Sequence, residues 1–74
     1  ISRDRVPMLE LRLNGHPHRT AAPCTVADLL VREHLAERRV AVEVNGAIVP
    51  RSAHQTHALM EGDHIEIVHA LGGG

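Results

Sequence analysis

The chain contains no phenylalanine, tyrosine or tryptophan, and this absence limits both its core and its partners. A core without aromatic rings must be built from Leu, Val, Ile, Ala and Met, and a domain this small buries only about 60% of its unfolded surface. Its net stability is therefore small, so we expect one domain of regular, well-patterned elements. No aromatic platform exists on which bases could stack, and a formal charge of -1 does not attract phosphates, so we expect no nucleic-acid partner.

Cysteine occurs once, at position 24, and lysine is absent. A single cysteine excludes a disulfide within the chain and a zinc site built on paired cysteines, which favours a reducing compartment. No apolar run reaches the ~18 residues of a membrane span, and no charged-then-apolar leader precedes the first patterned segment. We therefore expect a soluble cytoplasmic protein with no membrane partner. Without lysine, no side-chain amine can accept an isopeptide bond or form a Schiff base.

The seven histidines are scattered along the chain. A metal site needs ligands that converge with definite geometry, and neither His16-x-His18 nor His54-x-x-His57 has a specific spacing. The other three are His34, His64 and His69. We therefore expect surface histidines and no metal site.

The first half of the chain has the pattern of a hairpin followed by a helix. Residues 1–7 have no period, and we interpret them as a disordered extension or an expression remnant. The alternation in "MLELRLN" predicts a strand with Leu9, Leu11 and Leu13 on its buried face. Asn14-Gly15 predicts a tight turn, and Pro17 confines the return strand "HPHRTAA" to a sheet edge or a strand start. Thr25 and Asp28 then have capping-box spacing, and the apolar stripe after them predicts a helix from about Val26 to His34.

The second half has the pattern of another hairpin and a final strand. Val40, Val42 and Val44 share one face of a strand that turns at Asn45-Gly46 into the short strand "AIV", which Pro50 ends. Residues 51–60 read as a loop with one helical turn, and a second turn covers residues 61–63. The last strand is "HIEIVHAL", with its two isoleucines facing inward.

This order of elements predicts an α+β fold, a mixed sheet of about five strands packed on one main helix. The arrangement expected is the ubiquitin-like β-grasp, although the order alone leaves the relative direction of the first and last strands open. Residues 8–71 would form the β-grasp domain, and residues 72–74 a flexible glycine tail. The tail has two interpretations, a frayed end or a functional segment. Glycine has no Cβ, so an extended tail of ~13 Å, at ~3.3 Å per residue, could enter a slot too narrow for any side chain.

Four segments carry a resemblance to a known family: "LRLNG", "TVADLL", "RRVAVEVNGAIVPRS" and "LMEGDHIEIVHALGGG". Together they resemble the sulfur carrier protein of thiamine thiazole biosynthesis, a bacterial β-grasp protein with a C-terminal Gly-Gly. The resemblance implies a protein co-substrate rather than an enzyme, with no catalytic residue or bound cofactor of its own. A partner enzyme would use ATP and Mg²⁺ to adenylate the carboxylate of Gly74. Sulfur-donor proteins would then supply a persulfide that displaces AMP, and the thiocarboxylate formed would pass its sulfur to thiazole synthase.

The same resemblance implies roles for the residues before Gly74. Gly72 and Gly73 would give clearance in a partner's channel, with a mere spacer as the alternative. Leu71, Val68 and Ala70 are candidates for partner docking, while burial in the core stays open for Leu71 and Val68. Further candidates for polar contacts at the rim of that surface, or for solvated charges, are Arg51, Glu61 and Asp63.

Several alternatives remain open at the level of sequence. Cys24 is either a buried filler or a redox-active thiol, and the family places no catalytic cysteine there. The small subunit of molybdopterin synthase is a second β-grasp sulfur carrier with the same Gly-Gly chemistry. A ubiquitin-like interaction module, and a metal protein that uses the histidines, are the other two classes. We expect a monomer, because a carrier's tail must be free to visit several enzymes.

Overall fold

A computed structural model describes residues 6–70 of the chain. The strands are β1 (Met8–Leu13), β2 (His16–Ala21), β3 (Val40–Val44), β4 (Ala47–Val49) and β5 (His64–His69). Helix α1 (Val26–Arg32) follows β2, and a short 3-10 helix (Arg51–Ala53) follows β4. The strands form one sheet in the order β2-β1-β5-β3-β4. Within this part of the chain, no helix is both long and apolar enough to cross a membrane.

The first and last strands lie side by side at the centre of the sheet and run parallel. All other neighbours are antiparallel. This pairing, which the order of elements left open, gives the mixed five-stranded sheet with one helix of the β-grasp fold. The hairpin strand that contains Pro17 lies at the sheet edge as predicted, where a missing N–H costs no hydrogen bond.

One face of the sheet packs on α1 and forms the core. The predicted alternation is confirmed, because Leu11, Val42, Val44, Ile65 and Ile67 are all buried on that face. The other buried apolar residues are Cys24, Val26, Leu29, Leu30, Val49 and Leu59. The remaining predicted positions Leu9, Leu13, Leu35 and Val40 pack partly buried against this cluster. The domain therefore builds its core from aliphatic side chains and one cysteine.

Helix α1 begins as predicted and ends earlier than predicted. Thr25 and Asp28 form the full capping box, each side chain accepting a hydrogen bond from the other's backbone N–H. The predicted end at His34 is wrong, since the helix stops at Arg32 and His34 has a φ of 62°. The His34 N–H donates a hydrogen bond to the Val31 carbonyl, and the Leu35 N–H donates one to the Leu30 carbonyl. This is the hydrogen-bond pattern of a Schellman motif. A histidine thus occupies the left-handed position at which glycine is usual.

Both Asn-Gly pairs form the tight hairpin turns predicted from sequence. Asn14 and Gly15 have φ of 51° and 84°, and Asn45 and Gly46 have 53° and 86°. These angles lie in the left-handed region that glycine and asparagine tolerate, and they match the twist of the flanking strands. The two turns therefore fix the registers of both hairpins.

The same two asparagines also clamp the final strand through their side chains. The Asn14 carboxamide accepts a hydrogen bond from the Ile67 N–H (2.7 Å) and donates one to the Ile67 carbonyl (3.2 Å). Asn45 accepts from the His64 N–H (2.9 Å) and donates to the Asp63 carboxylate (2.9 Å). The Asn14 amide thus replaces a peptide group and prolongs the β1–β5 pairing toward the end of β5.

We expect the variant Asn14→Gly to lower the free energy of unfolding by about 1–3 kcal/mol, the net contribution of two partly buried hydrogen bonds. Glycine keeps the positive φ, so the loss reports on the side chain rather than on backbone strain. Urea denaturation followed by circular dichroism measures it, and hydrogen exchange at the Ile67 amide locates it. Asn45→Gly is the matched control, with a smaller loss because its bonds are exposed. An Ile67 amide that stays equally protected in Asn14→Gly would contradict the clamp.

Candidate functional site

The end of β5 is the point from which the predicted tail departs. The N–H of Ala70, the last described residue, donates a hydrogen bond to the carbonyl of Arg39 (2.9 Å), one residue before β3. Residues Leu71, Gly72, Gly73 and Gly74 lie outside the described residues, as do residues 1–5. Their predicted roles therefore stay predictions. Pro7, assigned to the unstructured extension, accepts a hydrogen bond from the Ala22 N–H, so pairing already begins there.

The outer face of the sheet carries an apolar patch close to this point. Ile67 faces the helix, so its neighbour Val68 faces outward and is 56% exposed. Ala70 is exposed on the same side, and Ala41 pairs with Val68 in register. The core interpretation of Val68 is therefore wrong, and the outward one is correct. We call Ala41, Val68 and Ala70 the outer patch.

Asp63 and Glu61, two of the three candidates for polar contacts at the rim of the docking surface, form hydrogen bonds that stabilise turns and lie far from the outer patch. The Asp63 carboxylate accepts hydrogen bonds from the Met60 N–H (2.8 Å) and the Asn45 side chain (2.9 Å). Glu61 accepts one from the Glu10 N–H (3.0 Å). Both residues lie just before β5, so about 23–30 Å of extended chain separates them from Ala70 at ~3.3 Å per residue. They stabilise the β4–β5 connection and are not part of the rim of the outer patch.

Cys24 is a buried filler of the core. Its side chain is 1% exposed and its Sγ donates weakly to the Thr25 carbonyl (3.4 Å). Burial raises the pKa of the thiol, and the positive charge of Arg32 offsets this only in part. A buried thiol held in its neutral form is a poor nucleophile. The structure gives no support to the redox interpretation.

One histidine departs from the surface location predicted for all seven. His54 is buried, and its Nε2 lies 3.0 Å from the carbonyl of Val49. The 3-10 helix turns the chain back so that the ring reaches the end of β4, which the polar run "RSAHQTH" did not indicate. The Nε2 of His18 lies 3.2 Å from the Oε2 of Glu33. Among residues 6–70, no three His, Cys, Asp or Glu side chains come together as metal ligands would.

A groove that no sequence pattern indicated lies between α1 and the loop after β4. It has a volume of about 470 Å³, and its walls include Leu30, Val31 and Val40 on one side and His54 on the other. Arg38 and Arg51 stand at its rim, and an adjoining depression adds Arg39. The "RR" pair was visible in the sequence, but only the fold brings Arg51 beside it. We call this feature the basic groove.

Comparisons with known proteins agree on the family. The sequence model of the ThiS family matches residues 11–74, which include the three glycines at 72–74. The crystal structure of the thiamine biosynthesis protein ThiS from Geobacter metallireducens superposes with a TM-score of 0.78 at 32% identity, over 89% of this chain and 100% of that one. A solution structure of a thiamine biosynthesis protein from the same organism gives 0.74 at 32% identity, over 89% and 88% of the two chains.

Two curated relatives are much longer proteins. A thiazole synthase of Magnetococcus marinus is 42% identical over 66 residues, and one of Paramagnetospirillum magneticum is 41% identical over 66 residues. The match covers 89% of this chain and 20% of each relative, so the chain spans about a fifth of their length. With the family pattern covering nearly the whole folded region and the fold shared with a solved ThiS structure, this chain belongs to the ThiS family.

Proposed function

We propose that this chain is a sulfur carrier of thiamine biosynthesis and that the carboxylate of Gly74 carries the sulfur. The observation behind the proposal is the ThiS family match, which runs through the sheet, the helix and the glycines at 72–74. The shared fold with a structure named thiamine biosynthesis protein supports the same function. No comparable observation favours molybdopterin synthesis or a general interaction module.

The proposed chemistry starts from the Gly74 carboxylate, which is a poor electrophile. A partner enzyme with ATP and Mg²⁺ converts the Gly74 carboxylate into an acyl adenylate, which has AMP as a good leaving group. A persulfide sulfur attacks the carbonyl carbon, the bond to AMP breaks and a carbon–sulfur bond forms. A thiol then cleaves the sulfur–sulfur bond and is itself oxidised, which leaves the thiocarboxylate. Thiazole synthase accepts this sulfur.

The chain's own contribution is presentation of the tail. Asn14 holds the second half of β5, and the Arg39 carbonyl holds Ala70, so hydrogen bonds fix the chain as far as Ala70, the last described residue. Gly72 and Gly73 provide clearance in the partner's channel, and the outer patch with Leu71 is the docking surface for the adenylating enzyme. The exposure of Val68 and Ala70 supports this assignment. The chain acts as a co-substrate, and proton transfer and phosphate chemistry belong to the partner.

Three kinds of partner follow from this function: the adenylating enzyme, a sulfur-donor protein and thiazole synthase. The last is supported by the two relatives named thiazole synthase, in which a segment similar to this chain makes up about a fifth of the protein. Covalent joining raises the effective concentration of one part for the other, so a carrier joined to its acceptor needs only a weak contact.

The proposal is tested by intact mass spectrometry. The chain is incubated with the adenylating enzyme of the same genome, ATP, Mg²⁺, and cysteine with a cysteine desulfurase. We expect the mass to rise by the difference between one sulfur and one oxygen atom, and the gain to require ATP. An unchanged mass, with an enzyme shown to be active on another substrate, would disprove the function. The thiocarboxylated product is then offered to thiazole synthase and to the molybdopterin synthase large subunit. The enzyme that accepts its sulfur distinguishes a carrier of thiamine biosynthesis from one of molybdopterin synthesis.

A further inference from the structure

The basic groove lies on the helix side of the sheet and the outer patch on the opposite face, and the two come closest where the Ala70 N–H donates a hydrogen bond to the Arg39 carbonyl. Its wall is formed by the α1 residues Ala27, Leu30 and Val31, and by Val40 at the start of β3. Val31 is 60% exposed although it is a large apolar residue. Leu30 is buried, and Ala27 and Val40 are half-buried, so Val31 is the one large apolar side chain of this wall that is open to solvent.

The rim of the groove carries a concentration of positive charge. Arg38, Arg39 and Arg51 are exposed, and within residues 6–70 none of their guanidinium groups has an ion pair or a side-chain hydrogen bond. Among the described residues that line the groove and its adjoining depression, Glu37 is the one carboxylate. The local balance is thus positive on a chain whose formal charge is -1. Guanidinium groups match carboxylates, which they bind by paired hydrogen bonds.

The groove also lies next to the point from which the tail departs. The Arg39 carbonyl accepts a hydrogen bond from the Ala70 N–H, so the basic rim and the last described residue are hydrogen-bonded neighbours. A protein that holds the tail in its active site is therefore brought within reach of the groove. The outer patch is turned to the opposite face, so two different partners can meet the tail from two sides.

We propose that the basic groove binds an acidic segment of thiazole synthase, with an apolar side chain against Val31 and carboxylates on the arginines. This inference rests on the proposed function. The groove is open and has no Phe, Tyr or Trp in its walls, which suits an extended polypeptide better than an enclosed small molecule. Relatives that contain a similar segment within a thiazole synthase favour that enzyme as the owner of the acidic segment.

The arginines act chiefly on the rate of encounter. Exposed ion pairs add little to affinity one at a time, whereas complementary fields on two proteins accelerate association and select the partner. The association rate should therefore fall as salt concentration rises, because the salt screens these charges. The same field repels other basic surfaces, which would keep the groove free of nonspecific partners.

The test measures association of the full chain with thiazole synthase from the same genome by surface plasmon resonance. We expect Arg38→Glu combined with Arg51→Glu to slow association about tenfold and to weaken its salt dependence. The control combines Arg12→Glu with Arg19→Glu, an equal change of charge on the outer face of β1 and β2 that also breaks the exposed Arg19–Glu10 ion pair, and should leave the rate near that of the wild type. Circular dichroism checks that all variants fold.

Each other outcome overturns the inference. Equal rates for the groove variant and the wild type, or no binding of wild-type chain to the synthase, would exclude this occupant. Loss of thiocarboxylate formation with unchanged synthase binding would assign the groove to the adenylating enzyme. Changes in the amide resonances of the groove on removal of residues 71–74, without any partner, would assign it to the chain's own tail. A wild-type chain that gains no sulfur rejects the proposed function separately, because that assay does not contain the synthase.

Discussion

Adding one alanine after Gly74 is expected to abolish thiocarboxylate formation and leave the fold unchanged. The extension moves the carboxylate by about 3.3 Å and gives the reacting residue a Cβ. A reacting carbon displaced by even ~1 Å from its required position can lose about 100-fold in rate, and a channel shaped for glycine leaves no room for the methyl group. Intact mass spectrometry after incubation with the adenylating enzyme, ATP and a persulfide source measures the result.

A one-glycine extension is the matched control for this experiment. It displaces the carboxylate by the same distance but adds no Cβ, so activity retained by this variant alone would show that clearance matters more than position. Gly73→Ala then tests clearance without any displacement and should also reduce the yield. If both extended chains gained sulfur as efficiently as the wild type, Gly74 would not be the reacting residue.

The fold could be predicted from sequence wherever a local rule dominates. The alternation of apolar residues predicted the buried faces of β1, β3 and β5, because side chains alternate between the two faces of a strand. The two Asn-Gly pairs predicted the turns, because both residues tolerate the positive φ that such turns require. The capping box marked the start of α1 to the residue. Its end was missed because a histidine, His34, takes the left-handed position, and no sequence rule assigns that conformation to histidine.

The parts of the site that depend on tertiary structure could not be predicted in the same way. Val68 was ambiguous until the burial of its neighbour Ile67 and its own exposure showed that it faces outward. The Asn14 clamp exists only because β1 and β5 are parallel neighbours, and the basic groove exists only because the loop after β4 brings Arg51 beside Arg38. In each case, residues distant in sequence meet through the packing of whole elements. The tail residues were singled out by sequence alone and still carry the chemistry of the proposal.

The core gives the second large effect that we expect, in the variant Leu29→Ala. Leu29 is fully buried between α1 and the sheet. Removing a buried leucine side chain costs about 2–5 kcal/mol through lost transfer energy and the cavity left behind. Domains are stable by roughly 0.05–0.15 kcal/mol per residue, so a chain this short has about 4–11 kcal/mol in total. The substitution should therefore remove a large fraction of the stability.

Val31→Ala is the control for Leu29→Ala, because Val31 lies on the same helix and is 60% exposed. We expect it to change stability by no more than about 0.5 kcal/mol, as at other surface positions. Urea denaturation must be followed by far-ultraviolet circular dichroism, since the chain has no tryptophan or tyrosine to report by fluorescence. Equal losses in the two variants would contradict the buried face assigned to α1. A loss confined to Leu29→Ala would show that Val31 is not needed for the fold, which leaves its exposed side chain available to a partner in the basic groove.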